Sequence, residues 1–424
     1  MSWGRGSFSM LSQLETSSPQ FDRKSPKKFA SVLLQTTVAH SSGGPAGTYK
    51  HCQRQTDHPT EGCPRGTIYV AQNDSAAHFN TIQAAIDSLG NTTIPGHILI
   101  APGNYTEQLN VTRRGPLHLI GMSNKPWKGD LYSDINVNTS AQNDVQVWWN
   151  SANHLALFSD NVYTGVLTVG PNLNATLTGS GPTGFPVPAD TPFGCTDFRA
   201  YNIDFRNELV QYSYGPAHAV GVSRANAGFY SCGFYSWQDT VYVGKLGNAF
   251  FYDNVIAGQT DFLYGFGTAY IEKSTLSLRS CGGGITAWKG TNTTFTNKYG
   301  VYIDQTQLIA SNYTIAPNMV GKCALGRPWN SLHRSIFMNS YFDASIKPAG
   351  YIPWSTTDPH LSNLTFMATW KDYGPGYNET TEAQSNVTLV LTDSQVKPYR
   401  HVSDVFSTPD GTFGNTRWID ASVL

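Results

Sequence analysis

The sequence predicts an all-β chain wound as a parallel β-helix, and three observations predict it. From Gly66 onward the chain is a succession of short β-rich runs broken by Gly and Asn. Within its centre, units led by alanine recur: Ala227-Gly228-Phe229-Tyr230, then Ala249-Phe250-Phe251-Tyr252, then Ala269-Tyr270-Ile271-Glu272, at steps of 22 and 20 residues. Each unit is followed by a second apolar cluster, Phe234-Tyr235, Val255-Ile256 and Leu276-Leu278 in turn. A period of about 20–25 residues carrying two or three short strands is what one coil of a parallel β-helix needs. Successive coils then stack at about 4.8 Å.

Composition excludes the main alternatives. The 424 residues are 40% hydrophobic and 12% aromatic but only 13% charged. A coiled coil or helical bundle wants far more Glu, Lys, Ala and Leu. Global disorder is excluded by 22 Tyr, 21 Phe and 10 Trp, a large core-forming complement. No apolar run reaches 18 residues, so no membrane-spanning helix is expected. Lys and Arg number 28 against 29 Asp and Glu, which points to no nucleic-acid partner.

One helix stands out before the coils begin. Thr81-Ile82-Gln83-Ala84-Ala85-Ile86-Asp87-Ser88-Leu89 places apolar residues 82, 85, 86 and 89 on one face, and Gly90 supplies a stop. It is expected to cap the amino-terminal end of the β-helix. Ahead of it, residues 1–50 read as a leader, propeptide or disordered extension. Lys27-Lys28 followed by Phe29-Ala30-Ser31-Val32-Leu33-Leu34 resembles a signal peptide, but lies far in and is interrupted by Gln35, Thr36 and Thr37. Residues 51–424 are expected to form a single catalytic domain, acting as a monomer.

Eleven Asn-X-Ser/Thr sequons, at Asn73, Asn91, Asn104, Asn110, Asn138, Asn174, Asn292, Asn312, Asn363, Asn378 and Asn386, favour a secreted, extracellular glycoprotein. The six cysteines fit that compartment. Cys52 and Cys63 are close enough to close a small loop, other pairings stay open, and buried free thiols are the alternative. No cysteine or histidine spacing suggests a metal site, and no cofactor is implied.

Register gives the first chemical signal. Asp239 and Asp261 each fall 12 residues into their coils, counted from Ala227 and Ala249. Side chains at one register on neighbouring coils lie roughly 5 Å apart. Two carboxylates stacked so closely do not both ionise readily, so one is protonated or a cation intervenes. Two solvated turn aspartates are the bland alternative.

At these residues the chain resembles the pectin methylesterases (pectinesterases). The family's Gln-Asp-Thr motif stands here as Gln238-Asp239-Thr240, and its Asp-Phe-Leu-aromatic-Gly motif as Asp261-Phe262-Leu263-Tyr264-Gly265. Leu-Gly-Arg-Pro-Trp is intact as Leu325-Gly326-Arg327-Pro328-Trp329, and the early Gly-X-Tyr-X-Glu pattern appears as Gly103, Tyr105 and Glu107. The likeness runs from about residue 66 to 355 and fades beyond it.

The resemblance implies a right-handed parallel β-helix with a cleft along its flank, and hydrolysis of galacturonate methyl esters in pectin. It implies Asp261 as nucleophile, Arg327 as the cation that keeps it ionised, Asp239 as acid then base, and Gln238 as a donor to the oxyanion. Trp329 is expected to stack on a sugar ring, with Trp237 and Tyr264 as further cleft aromatics. The family's Gln-Ala-Val-Ala-Leu segment departs here to His218-Ala219-Val220-Gly221-Val222, so His218 is expected either to take over as a substrate-facing donor or to be structural. An insertion rich in Gly, Pro and Thr between Val169 and Cys195 is expected to reshape one wall of the cleft.

Three other readings compete. A polygalacturonase would want a paired-Asp inverting site, and no Asp-Asp dipeptide occurs. A pectate lyase would want a calcium-binding acidic cluster beside a basic residue, which Asp239, Asp261 and Arg327 imitate superficially. A silent polysaccharide binder has no reason to keep Gln238, Asp239, Asp261 and Arg327 together.

Overall fold

The computed structural model describes residues 49–124, 143–179, 187, 188, 190–209, 214–291 and 298–424. Among these residues, parallel strands form three sheets of eleven, eight and seven strands. One coil shows the plan: Asn226–Tyr230 lies in the first sheet, Gly233–Tyr235 in the second and Val241–Val243 in the third. The next coil repeats it with Asn248–Tyr252, Val255–Gly258 and Leu263–Gly265. The chain is a parallel β-helix.

The alanine-led repeat is the register of the first sheet. Ala227 pairs with Ala249, and Ala249 with Ala269. Phe229, Phe251 and Ile271 follow two residues on and point into the same interior, where the rings of Phe229 and Phe251 stack at 4.9 Å. The second apolar clusters align as Phe234, Ile256 and Leu276. Like residues therefore stack on like, which fills the interior with buried apolar side chains and few voids.

The corners explain the scattered Asn, Asp and Ser. Between the first and second sheets one residue per coil adopts a left-handed backbone: Asn202, Ser231, Asp253, Lys273, Gln305, Asn339 and Lys371. A single left-handed residue turns the chain sharply without using extra residues. In the later coils the next residue then accepts from the backbone of the coil before. Asn254 Oδ1 accepts from Cys232 N at 2.7 Å, Ser274 Oγ from Asn254 N at 3.0 Å, and Asp372 Oδ1 from Ser340 N at 2.8 Å. Backbone groups buried at the bend are satisfied in this way.

The expected helix forms over Ile82–Ser88, with Ile82, Ala85 and Ile86 buried against the interior core. Its free amino-terminal N–H groups are met by Glu107, whose two oxygens accept from Ile82 N and Gln83 N at 2.9 Å each. Tyr105 is buried and donates to Ala101 O at 2.9 Å. The Gly103-X-Tyr105-X-Glu107 pattern thus ties the first coil to the helix.

A second apolar layer covers the outer face of the first sheet. Phe366–Trp370 and Leu389–Val390 complete the last coils, and the remaining chain folds back along the stack. Arg400 O accepts from Tyr270 Oη, Ser407 O from Asn248 Nδ2, and Asp420 Oδ2 from Tyr201 Oη, so the tail runs from late coils to early ones.

The extension expected over residues 1–50 lies outside the described residues up to 48. Tyr49 is buried, and its hydroxyl bonds His118 Nδ1 at 2.7 Å, so packing begins just ahead of the expected boundary. Cys52 and Cys63 form the small-loop disulfide. Cys281 and Cys323 form a second, while Cys195 and Cys232 are buried free thiols. Asn138 and Asn292 lie outside the described residues. Of the other sequon asparagines, Asn110 and Asn312 are half-buried and the rest are exposed.

Candidate active site

The corner between the second and third sheets places the two aspartates. Gln238 bridges Thr260 on the next coil, and Val241 pairs with Leu263, so Asp239 and Asp261 share one register. Both are in the left-handed region, at φ 61° and 48°. Such a backbone costs a non-glycine residue about 1 kcal/mol or more and persists where the surroundings enforce it. The enforcement is visible: Asp239 N donates to Thr260 O at 3.1 Å and Asp261 N to Gly284 O at 2.7 Å.

The two carboxylates differ sharply in their partners. Arg327 grips Asp261, with Nε donating to Oδ1 at 2.9 Å and Nη2 to Oδ2 at 2.6 Å. Gly284 N adds a third donor at 3.2 Å. Only glycine allows this approach: a Cβ at Gly283, whose φ is 64°, would sit 2.8 Å from Asp261 Oδ1 and 2.9 Å from Arg327 Cζ. The Cys281–Cys323 disulfide ties the Gly282-Gly283-Gly284 segment to the strand that delivers Arg327.

Their electrostatics diverge accordingly. Burial pushes Asp239 well above the ordinary carboxylate range, the charge of Asp261 pushes it further, and Arg327 offsets only part. Burial raises Asp261 too, but Arg327 and the Gly284 N–H pull it back, leaving it only moderately above the usual value. Asp239 is therefore the more readily protonated of the pair and Asp261 the more readily ionised.

Aromatic residues frame the site. Trp329 is half-buried, 5.4 Å from the ring of Tyr264 and 5.8 Å from that of Phe266. Trp237 is also half-buried, with the Arg279 guanidinium 4.9 Å above its ring. Gln238 is half-buried beside Asp239.

Two expectations need correction. His218 and Tyr264 do not face the cleft: His218 is 0% exposed and Tyr264 2%. His218 shares the register of Asp239, since Ala217 N and Ala219 N donate to Gln238 O and Thr240 O. Its backbone, however, is not left-handed. Its ring turns into the protein, stacks on Tyr242 at 5.6 Å and bonds Tyr264 Oη through Nε2. Burial lowers its pKa to about 4, so the imidazole is neutral. Nδ1 has no hydrogen-bond partner among the described residues, so the link between Nε2 and Tyr264 Oη is the polar contact that holds the ring.

Two other features lie outside the sequence motifs. Trp354 lies under the Arg327 guanidinium at 4.1 Å and stacks on His360 at 5.3 Å, and with Trp329 they line a hollow of about 630 Å³. Trp354 sits where the family likeness fades, so only its aromatic character was available as a signal. Lys289 is fully buried, with Nζ 3.1 Å from the Trp329 ring centroid. Part of the insertion, residues 180–186 and 189, lies outside the described residues. Its described start is fixed to Asp160, which accepts from Thr178 N and Gly179 N.

Among the described residues no group of three or more His, Cys, Asp or Glu side chains gathers to hold a metal ion. No helix among them is long and apolar enough to cross a membrane.

Comparisons with known proteins agree with this architecture. The family model "Pectinesterase" matches residues 143–403. A probable pectinesterase/pectinesterase inhibitor of Arabidopsis thaliana is 26% identical over 327 residues, covering 76% of this chain and 48% of that protein. Probable pectinesterase A of Aspergillus niger is 27% identical over 324 residues, covering 76% and 81%. The chain thus spans about half the length of the plant relative. Among solved structures, a pectin methylesterase of Aspergillus niger superposes with a TM-score of 0.62 at 22% identity, covering 85% of this chain and 98% of that one. The carrot pectin methylesterase gives 0.61 at 19% identity, covering 84% and 96%. The match of the family model over more than half of its length shows that this chain belongs to the pectinesterase family.

Proposed function

We propose that the protein is a pectin methylesterase, releasing methanol from methyl-esterified galacturonate units. The observation that carries this reading is the asymmetric pair: two buried aspartates at one register, of which only Asp261 is gripped by Arg327.

Chemistry follows from that asymmetry. Asp261, ionised and held by the two Arg327 donors and Gly284 N, attacks the ester carbonyl through one oxygen. Charge develops on the carbonyl oxygen, and Gln238 donates its amide N–H there. As the tetrahedral adduct collapses, the C–O bond to the methoxy group breaks and Asp239 gives its proton to the leaving oxygen, forming methanol. The intermediate is a mixed anhydride between Asp261 and the galacturonate acyl group. Asp239, now a carboxylate, takes a proton from water, which attacks the galacturonate acyl carbon and frees Asp261. Asp239 ends protonated, ready for the next turn. Trp329 and Trp237 supply apolar faces for sugar rings.

Secretion is proposed with it. Exposed sequon asparagines along the chain and two disulfides suit an extracellular glycoprotein acting on the plant cell wall. A solved pectin methylesterase with a TM-score of 0.57 and 22% identity was crystallised with a hexasaccharide, which supports a carbohydrate polymer as the ligand class.

The test is product identity. Purified protein incubated with highly methylated pectin and excess calcium chelator is expected to release methanol without shortening the polymer. Unsaturated or shortened oligosaccharides in place of methanol would make it a lyase or a glycosidase. Pectin binding with neither product would make it a binding protein.

A further inference from the structure

Lys289 follows the third-sheet strand Gly284–Trp288, and Trp329 is anchored to the same strand by its N–H, which donates to Trp288 O at 3.2 Å. The Lys289 ammonium lies between two rings, 3.1 Å from the centroid of Trp329 and 4.6 Å from that of Phe266. At 3.1 Å from a centroid, a nitrogen can only stand over a ring face. Lys289 is 0% exposed, so that face is the inner one. Half-exposed Trp329 offers its other face to the hollow it shares with Trp354 and His360.

Lysine is among the residues least often fully buried, because its ammonium loses hydration and its stem loses rotamer freedom. Over an aromatic face the ammonium is attracted to the ring, most strongly where water is excluded.

We propose that Lys289 is a positioning residue for substrate binding, its cation clamping the inner face of Trp329 so that the outer face is presented flat to a sugar ring. The proposal rests on the esterase reading, in which Trp329 carries a galacturonate ring. It makes affinity depend on the charge of Lys289. The charged groups among the described residues that act on it include Lys245, whose Nζ lies 5.3 Å over the same Phe266 ring, and Asp160. Burial and Lys245 pull the Lys289 pKa down to about 7, and Asp160 offsets part of that. The clamp is therefore on at pH 6 and off at pH 8. Catalysis at Asp261 is not addressed by this group, so the effect falls on KM.

Two variants and two readouts test it. For methyl-esterified pectin, wild-type KM is expected to rise about fivefold from pH 6 to pH 8. Lys289→Met, which keeps the volume and loses the charge, is expected to show the high KM at both pH values. Lys289→Arg, which stays charged, is expected to keep a low KM at both. Independently of turnover, the fluorescence of the full chain is expected to change with a midpoint near pH 7, a step absent from Lys289→Met and from Trp329→Phe. A wild-type KM profile in Lys289→Met overturns the proposal, even if that variant melts at lower temperature. A missing fluorescence step overturns it as well. If the wild-type protein releases no methanol, the esterase reading falls, and the fluorescence step still decides whether Lys289 holds Trp329.

Discussion

Arg327 donates to both carboxylate oxygens of Asp261, at 2.9 and 2.6 Å, and to neither oxygen of Asp239 one coil away. The choice is geometric. The Gly282-Gly283-Gly284 segment leaves room for the guanidinium beside Asp261, and the Trp354 ring covers that guanidinium at 4.1 Å. Replacing Arg327 by Gln is expected to lower kcat/KM by about 10²–10³-fold, because the nucleophile is then no longer held ionised and oriented. Arg327→Lys should recover little, since a point charge does not reproduce a two-point grip. Steady-state kinetics on methylated pectin checks both.

The pair also sets the pH profile. The proposed mechanism needs Asp261 ionised and Asp239 protonated, so kcat/KM is expected to be bell-shaped. Its acid limb lies above the ordinary carboxylate range because burial raises Asp261, and its alkaline limb lies higher still because Asp239 is raised further. Arg327→Gln removes the cation that pulls Asp261 down, so the acid limb is expected to move to higher pH. In Asp239→Asn the alkaline limb attributed to Asp239 is expected to vanish. A profile of kcat/KM from pH 3 to 10 for the three proteins reads this out.

His218 and Tyr264 are expected to matter for stability more than for turnover. Tyr264→Phe removes the hydrogen-bond partner of the buried His218 Nε2, and an unmet buried polar group costs about 1–3 kcal/mol. Denaturant melts should show that loss while kcat stays within a few-fold of wild type.

His218 also contributes to acid sensitivity. Its folded pKa of about 4 lies below the unfolded value of about 6.5, so between these values the native state binds fewer protons than the unfolded one. The stability associated with its neutral form is complete above about pH 6.5 and is lost as pH falls toward 4, by up to about 3 kcal/mol. His218→Gln, which has a donor and does not titrate, should flatten the decline of Tm across that window relative to wild type.

The Cys281–Cys323 disulfide closes a loop of sequence separation 42 that contains neither aspartate but fixes the glycine segment facing Asp261. Removing such a cross-link costs about 3–4 kcal/mol in the chain-entropy model. Cys323→Ser is expected to lower Tm and, because Arg327 follows four residues later, to lower kcat as well. Restoring wild-type kcat with stabilising osmolyte would contradict that second effect.

Much of this was legible in the sequence because stacking enforces repetition. Ala227, Ala249 and Ala269 announce their pairing, and the matching positions of Asp239 and Asp261 in their coils announce the shared register. Direction was not legible. His218 occupies the same register as the two aspartates, yet a difference in one backbone angle sends its ring inward, and no local sequence signal marks that angle. The clamp at Lys289 was hidden for a related reason. Lys289 and Trp329 are 40 positions apart in the sequence and meet only because Trp329 N bonds the strand that ends beside Lys289. Glu107 was visible as part of a pattern, but its role in meeting the helix N–H groups needed the coil to place it.

The most direct test of the central claim is methanol release by Asp261→Asn beside wild type, with calcium chelated and folding of the variant checked by its melting curve. Wild type is expected to release methanol steadily, and the folded variant none above background. A folded Asp261→Asn that releases methanol at a rate comparable to wild type would contradict it, because no other residue of the site is held as an ionised nucleophile by Arg327.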